Sequence, residues 1–168
     1  DGHGDTDETH EDTDADADAD GEPPPIVSDC RTATHGSSTY RFCPDRQTRE
    51  DAQASCESLG YELVQINNEA ENAFVHETFV EPGVPAGPGP WIGLRDAYLD
   101  GIYSWDDGTA LVESLWELWC PGHPAVDETN PYVHMEISTP EAPCWAVNSR
   151  SFSETLEYVC EAPLIEED

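Results

Sequence analysis

Six cysteines, at positions 30, 43, 56, 120, 144 and 160, carry the most decisive chemistry in the chain. None stands in a Cys-x-x-Cys pair, the close spacing by which thiolates converge on one zinc ion. An even number without such pairs predicts three disulfides and an oxidising compartment. His123 and His134 could join an acid around a transition metal, but neither has a second ligand at metal-binding spacing. No serine–histidine–acid arrangement stands out, and no glycine-rich loop follows a strand. Paired carboxylates could be read as a glycosidase dyad, but in a chain with 37 acidic residues such pairs arise by chance. A non-enzymatic binding module is the expectation.

The charge narrows the partners. Against 37 acids stand six arginines and no lysine, a formal net charge of −31. Such a surface repels nucleic-acid phosphates and anionic bilayers, and it suits cation binding, solubility or a salty medium. No apolar run reaches the length that spans a bilayer. The chain starts at Asp1 without an initiator methionine, which together with the cysteines is the pattern of an exported form whose signal segment has been removed. An extracellular or cell-surface location follows.

Residues 1–25 read as a disordered acidic leader and proline-rich spacer. They hold the alternating run from Asp14 to Asp20 and then Pro23-Pro24-Pro25, which stiffens the chain. The Asp-x-Asp repeat does not have the glycine and terminal glutamate of a calcium loop at the required positions. The folded part is expected over 26–162, followed by a short acidic tail at 163–168.

The elements that must position the chemistry follow from local signals. Tyr40, Phe42 and Cys43 suggest a hairpin that Cys30–Cys43 is close enough to staple, worth about 3 kcal/mol. Thr48 caps a helix with Asp51 three residues on, Ala52, Cys56 and Leu59 share a face, and Gly60 stops it. Asn68 caps a second helix, with Ala70, Phe74 and Phe79 expected inward, and the proline–glycine run from Pro82 ends it. Trp91-Ile92-Gly93-Leu94 reads as a buried strand with Ile102 to Trp105 as its hairpin partner. Val133, Met135 and Ile137 alternate with His134 and Glu136, predicting a half-buried strand with His134 outward. Residues 109–131 read as irregular. Two helices with short antiparallel sheets and a long irregular loop region make the fold class α+β.

This order of features resembles a C-type lectin-like domain across about residues 28–162. The resemblance is carried by Tyr40 to Cys43, the helix with Cys56, and Gly60-Tyr61-Glu62-Leu63-Val64-Gln65-Ile66 followed by Glu71 and Phe74-Val75. It continues through Trp91-Ile92-Gly93-Leu94, Trp105-Asp106-Asp107-Gly108, Trp119-Cys120-Pro121-Gly122-His123-Pro124, Val133-His134-Met135, Trp145 and Tyr158-Val159-Cys160-Glu161. It implies the bridge Cys56–Cys160, the long-form hairpin bridge Cys30–Cys43, and a remaining pair Cys120–Cys144. That last pair departs from the family. The usual positions lie at Tyr132 and a few residues beyond Trp145, so both partners are displaced upstream.

The resemblance also implies a calcium and sugar site built from a Glu-Pro-Asn or Gln-Pro-Asp triplet, a downstream glutamate and an Asn-Asp pair after the strand tryptophan. Calcium asks for six to eight oxygens, and sugar hydroxyls can supply two. This chain has His123-Pro124-Ala125 at the triplet and Ala146-Val147 after Trp145. The usual site is therefore expected to be absent. A rebuilt calcium site would draw on Asp127, Glu128, Asn130 and Asn148. Trp116, His123, Asn130 and Asn148 are the candidate ligand-binding residues, with Trp116 as an exposed aromatic platform. Pro124 matches a loop proline that is cis in relatives. Carbohydrate binding without the standard motif is one expectation. A calcium-independent module for an extracellular protein or surface is the other.

Overall fold

The computed structural model describes residues 30–83, 88–114, 116–124, 131–137, 143–148 and 154–164. The leader over 1–25 and the acids Asp127 and Glu128 with Asn130 lie outside the described residues.

The chain opens with a hairpin of β1 (Arg31–His35) and β2 (Ser38–Gln47). Cys30 and Cys43 are bonded across its base. Helix α1 (Arg49–Ser58) begins where the Thr48 hydroxyl accepts the Asp51 N–H at 3.2 Å. It ends at Gly60, whose φ of 80° lets the Gly60 and Tyr61 N–H groups turn back onto the Glu57 and Cys56 carbonyls. β3 (Glu62–Leu63) leads to α2 (Glu69–Val80), capped by Asn68 Oδ1 accepting the Glu71 N–H at 2.8 Å. β4 (Trp91–Arg95) and β5 (Ser104–Trp105) follow, then a 3-10 turn (Leu111–Glu113), β6 (Tyr132–Met135), β7 (Trp145–Val147) and β8 (Leu156–Pro163).

The strands join in the order β1-β2-β8-β4-β6-β7, with β3 on β8 and β5 on β4. All named pairings are antiparallel except β4 with β8, where Trp91 meets Tyr158. That parallel contact brings the chain's end to its middle. Cys56–Cys160 ties α1 to β8 across 104 residues, closing a loop worth about 4–5 kcal/mol in the chain-entropy account. Gly93 is required where β4 crosses under the 63–64 segment. A Cβ there would stand 2.7 Å from the Leu63 carbonyl oxygen, and the Gly93 N–H instead donates to the Val64 oxygen at 2.8 Å.

Trp91, Trp105 and Trp145 are buried in the centre with Leu94, Val133, Met135 and Val159. Two side chains lie opposite to their expected direction. Ala70 is exposed, whereas Glu71 and Asn72 turn inward because Tyr40 and Trp145 supply partners for them. His134 is also inside, not on the surface. β6 lies between β4 and β7 and is buried on both faces, so the His134 ring packs edge-on to Trp91.

Candidate functional site

β7 stands at the end of the strand order, so its outer edge needs partners from elsewhere. The segment 118–123 supplies them. The Trp145 N–H donates to the Leu118 oxygen at 2.8 Å, and the Cys120 N–H donates to the Trp145 oxygen at 2.8 Å. At the next position a side chain replaces the backbone: the Val147 N–H donates to His123 Nδ1 at 3.1 Å. The Cys120–Cys144 disulfide holds this segment against β7, and the His123–Pro124 peptide is cis.

That contact settles what His123 offers. A neutral imidazole has one acceptor nitrogen and one N–H, so an accepting Nδ1 leaves the proton on Nε2. Partial burial lowers the His123 pKa, His134 adds to the effect, and Glu136 opposes it. The neutral form is therefore favoured, with its single lone pair already used. His134 Nε2 lies 2.7 Å from Glu136 Oε1, but His123 in this tautomer has no nitrogen left to complete a metal site with them.

Calcium fares no better at the implied site. The family's position for the glutamate of the triplet carries this imidazole. Ala146 and Val147 offer no side-chain oxygen, and Asn148 is buried at 1% exposure, its N–H bonded to the Tyr132 oxygen. The described residues do not fit the usual calcium cage. Asp127, Glu128 and Asn130 lie outside the described residues, so of the rebuilt set only Asn148 is placed. Among the described residues one metal-type cluster converges, Cys30, Cys43 and Asp45. Its two sulfurs are joined as a disulfide, and calcium prefers oxygen. It offers that ion a single carboxylate.

Beside the His123 loop lies a groove of about 780 Å³. Tyr103, Leu111, Trp116 and Trp119 line it, with Pro124 among the lining residues and the exposed side chains of Ile102 and Val112. Its shape follows from the core: Trp116 and Trp119 each meet Trp145 edge to face, at 5.5 and 6.1 Å between ring centroids, and Trp119 also meets Tyr103 at 5.0 Å. Trp116 is thus half-buried with one side in the core, and it forms a wall of the groove instead of a free platform. The lining is mostly apolar, with Glu117 as its one charged side chain among the described residues. Among the described residues its hydroxyls are those of Tyr103 and Ser114, and Ser114 Oγ already accepts the Trp105 indole N–H at 3.1 Å.

A second polar site, missed in the sequence, joins α2 to β8. Glu71 accepts the Tyr40 hydroxyl at 2.8 Å and the Asn67 N–H at 2.8 Å. Glu161 accepts the Ser38 hydroxyl at 2.9 Å and the Gln65 N–H at 3.0 Å. Burial pushes the Glu161 carboxyl up to about 7, with the neighbouring Glu71 adding to the shift and the Gln65 N–H opposing it. The groove residues Ile102 and Val112 were missed too. Only Ile102 had a strand assigned to it, and exposure of either side chain leaves no mark in a sequence.

With all six cysteines paired, the fold is one for an oxidising, extracellular setting. Among the described residues no helix is long and apolar enough to cross a membrane. The family model for the Lectin C-type domain matches residues 45–162. A protein described as "Lectin" from Pleurodeles waltl is 30% identical over 108 residues, covering 63% of this chain and 61% of that one. CD209 antigen-like protein C of Mus musculus is 32% identical over 85 residues, covering 51% of this chain and 45% of that one. The chain thus spans about half to three-fifths of the length of these relatives. The mouse scavenger receptor C-type lectin carbohydrate-recognition domain superposes with a TM-score of 0.68 at 21% identity, covering 86% of this chain and 99% of that one. The family model, the ordered motifs and the shared fold converge on one statement: this chain belongs to the C-type lectin domain family.

Proposed function

We propose that the domain is a calcium-independent recognition module whose binding surface is the groove between the 102–103 segment, the 111–114 turn and Trp116–Trp119. The observation that carries this reading is the pairing of a mostly apolar groove with a neighbouring loop in which His123, committed to the Val147 N–H, stands where the family's triplet has its first oxygen ligand. Two aliphatic side chains stand open at its mouth, Val112 at 85% and Ile102 at 62% exposure. Such a rim suits an apolar anchor from an extracellular protein better than a sugar ring, which needs several hydrogen-bonding partners. A calcium-independent type II antifreeze protein has the same fold, with a TM-score of 0.66 at 22% identity over 80% of this chain and 92% of that one. The fold therefore stands without the ion in a neighbour.

The test has two arms. A glycan array is run with calcium and again with a chelator, and peptides displayed on phage are selected with chelator present throughout. We expect silence on the array, and peptides whose binding is lost on Val112→Asp. Glycan binding that disappears on chelation would overturn this reading and favour an ion held by Asp127, Glu128, Asn130 and Asn148. Glycan binding that survives chelation but is lost on Trp116→Ala would favour a sugar stacked on that ring.

A further inference from the structure

We infer that the groove takes a basic segment of a protein partner, arginine- or lysine-rich around one aromatic or large aliphatic anchor. The inference rests on the groove being the binding surface and adds the chemistry of its occupant. The floor supplies the place for the anchor: Tyr103, Leu111, Trp116 and Trp119 enclose a volume that takes a few side chains, not a flat protein face. The rim supplies the charge. Glu117 lines the groove, Glu113 is exposed between the lining residues Val112 and Ser114, and Asp100 is exposed next to Gly101.

No cation offsets those carboxylates among the described residues. Arg31 donates to the Thr78 oxygen, Arg41 lies over the Tyr61 ring, Arg46 donates to the Thr155 oxygen, and Arg49 and Arg95 converge on Asp106. All five are engaged away from the groove, which none of them lines.

Charge also sorts the alternative occupants. A second copy of this chain carries the same −31 and is repelled at low salt. The chain's own leader holds eleven acids and no base over residues 1–22, so it cannot complement an acidic rim. An anionic bilayer is repelled likewise. A cationic segment gains from the rim and from the whole chain's field, and the apolar floor then gives it a register that diffuse attraction lacks.

The full chain is titrated calorimetrically in about 50 mM salt, where surface charge is weakly screened, with three synthetic pentapeptides: tryptophan flanked by arginines, tryptophan flanked by serines, and serine flanked by arginines. The arginine–tryptophan peptide is expected to bind about tenfold tighter than either of the others, since anchor and charge each contribute. Val112→Asp and Ile102→Asp should each weaken it by about tenfold although they add negative charge, because they spoil the apolar rim. The double change Glu113→Gln with Glu117→Gln should narrow its advantage over the serine–tryptophan peptide.

Equal binding of the serine–tryptophan peptide, still sensitive to Val112→Asp, would overturn the basic occupant and leave the groove as the binding surface. Equal binding of the peptide without tryptophan, unaffected by Val112→Asp, would mean diffuse attraction to an acidic chain and overturn both readings. No binding of the arginine–tryptophan peptide would overturn the basic occupant, and the selected phage peptides would then decide the groove on their own.

Discussion

Arg49 donates from Nη2 to Asp106 Oδ1 at 2.8 Å with both side chains nearly sealed from solvent, at 1% and 4% exposure. Fifty-seven residues separate them in sequence. The guanidinium also lies 5.3 Å from the Tyr132 ring centroid, so one contact joins the start of α1, the turn after β5 and β6. A cation at a helix N-terminus opposes the macrodipole, and burial lowers Arg49 while it raises Asp106. Their mutual attraction counters both shifts. Arg49 Nε and Asp106 Oδ2 find no hydrogen-bond partner among the described residues.

Breaking this pair from one side should therefore cost more than the pair itself contributes. Arg49→Ala or Asp106→Ala is expected to destabilise the fold by about 3–5 kcal/mol, since each strands a buried charge. The double change Arg49→Ala with Asp106→Ala should cost clearly less than the sum of the two single changes. Urea unfolding of the four proteins closes the cycle, and strict additivity would refute the coupling.

Glu161 gives stability a pH dependence of unusual sign. Its folded-state pKa of about 7 lies above the usual 4.5, so its contribution is fully present below about pH 4.5 and is lost as pH rises through 7. Glu161→Gln should remove this loss and stabilise the protein at pH 8 by about 1–3 kcal/mol, with little gain at pH 4.5. Unfolding free energies at the two pH values measure it. An equal gain at both would locate the effect in packing instead.

His123 acts in the opposite direction. Its pKa is lowered in the fold, so its contribution is present above about 6.5 and falls away as pH drops below that value. NMR titration of the imidazole should show a pKa below that of an exposed histidine. The Val147 amide should exchange faster at pH 5 than at pH 7, after correction for intrinsic rates, as Nδ1 gains a proton and ceases to accept. A protected Val147 amide at both would sink this role.

The displaced disulfide should act locally. Replacing Cys120 and Cys144 with serine opens a cross-link of sequence separation 24 and should cost about 3 kcal/mol. Hydrogen exchange is expected to rise first at Trp145, Cys120 and Val147, whose N–H groups form the seam between the loop and β7. Peptide binding in the groove should weaken in the same variant, while α1 and its Cys56–Cys160 bridge stay protected.

The sequence by itself determined what depends on neighbours in the chain. Thr48, Asn68 and Gly60 mark helix ends because a cap or a positive φ is a property of a few consecutive residues. Trp91, Trp105 and Trp145 read as core from their apolar flanks, and the ordered motifs carried the family. Tertiary structure decided everything that hangs on which elements meet. His134 sits on a strand whose alternation implies an open face, yet that face is covered, and Trp91, its partner across the β4–β6 ladder, packs on its ring. Glu71 turns inward where Ala70 was expected, because the Tyr40 hydroxyl waits there from a strand 31 residues away. Ile102, Val112 and Trp116 become one groove only because Trp145 seats the long loop, and no local periodicity records a contact made across that distance.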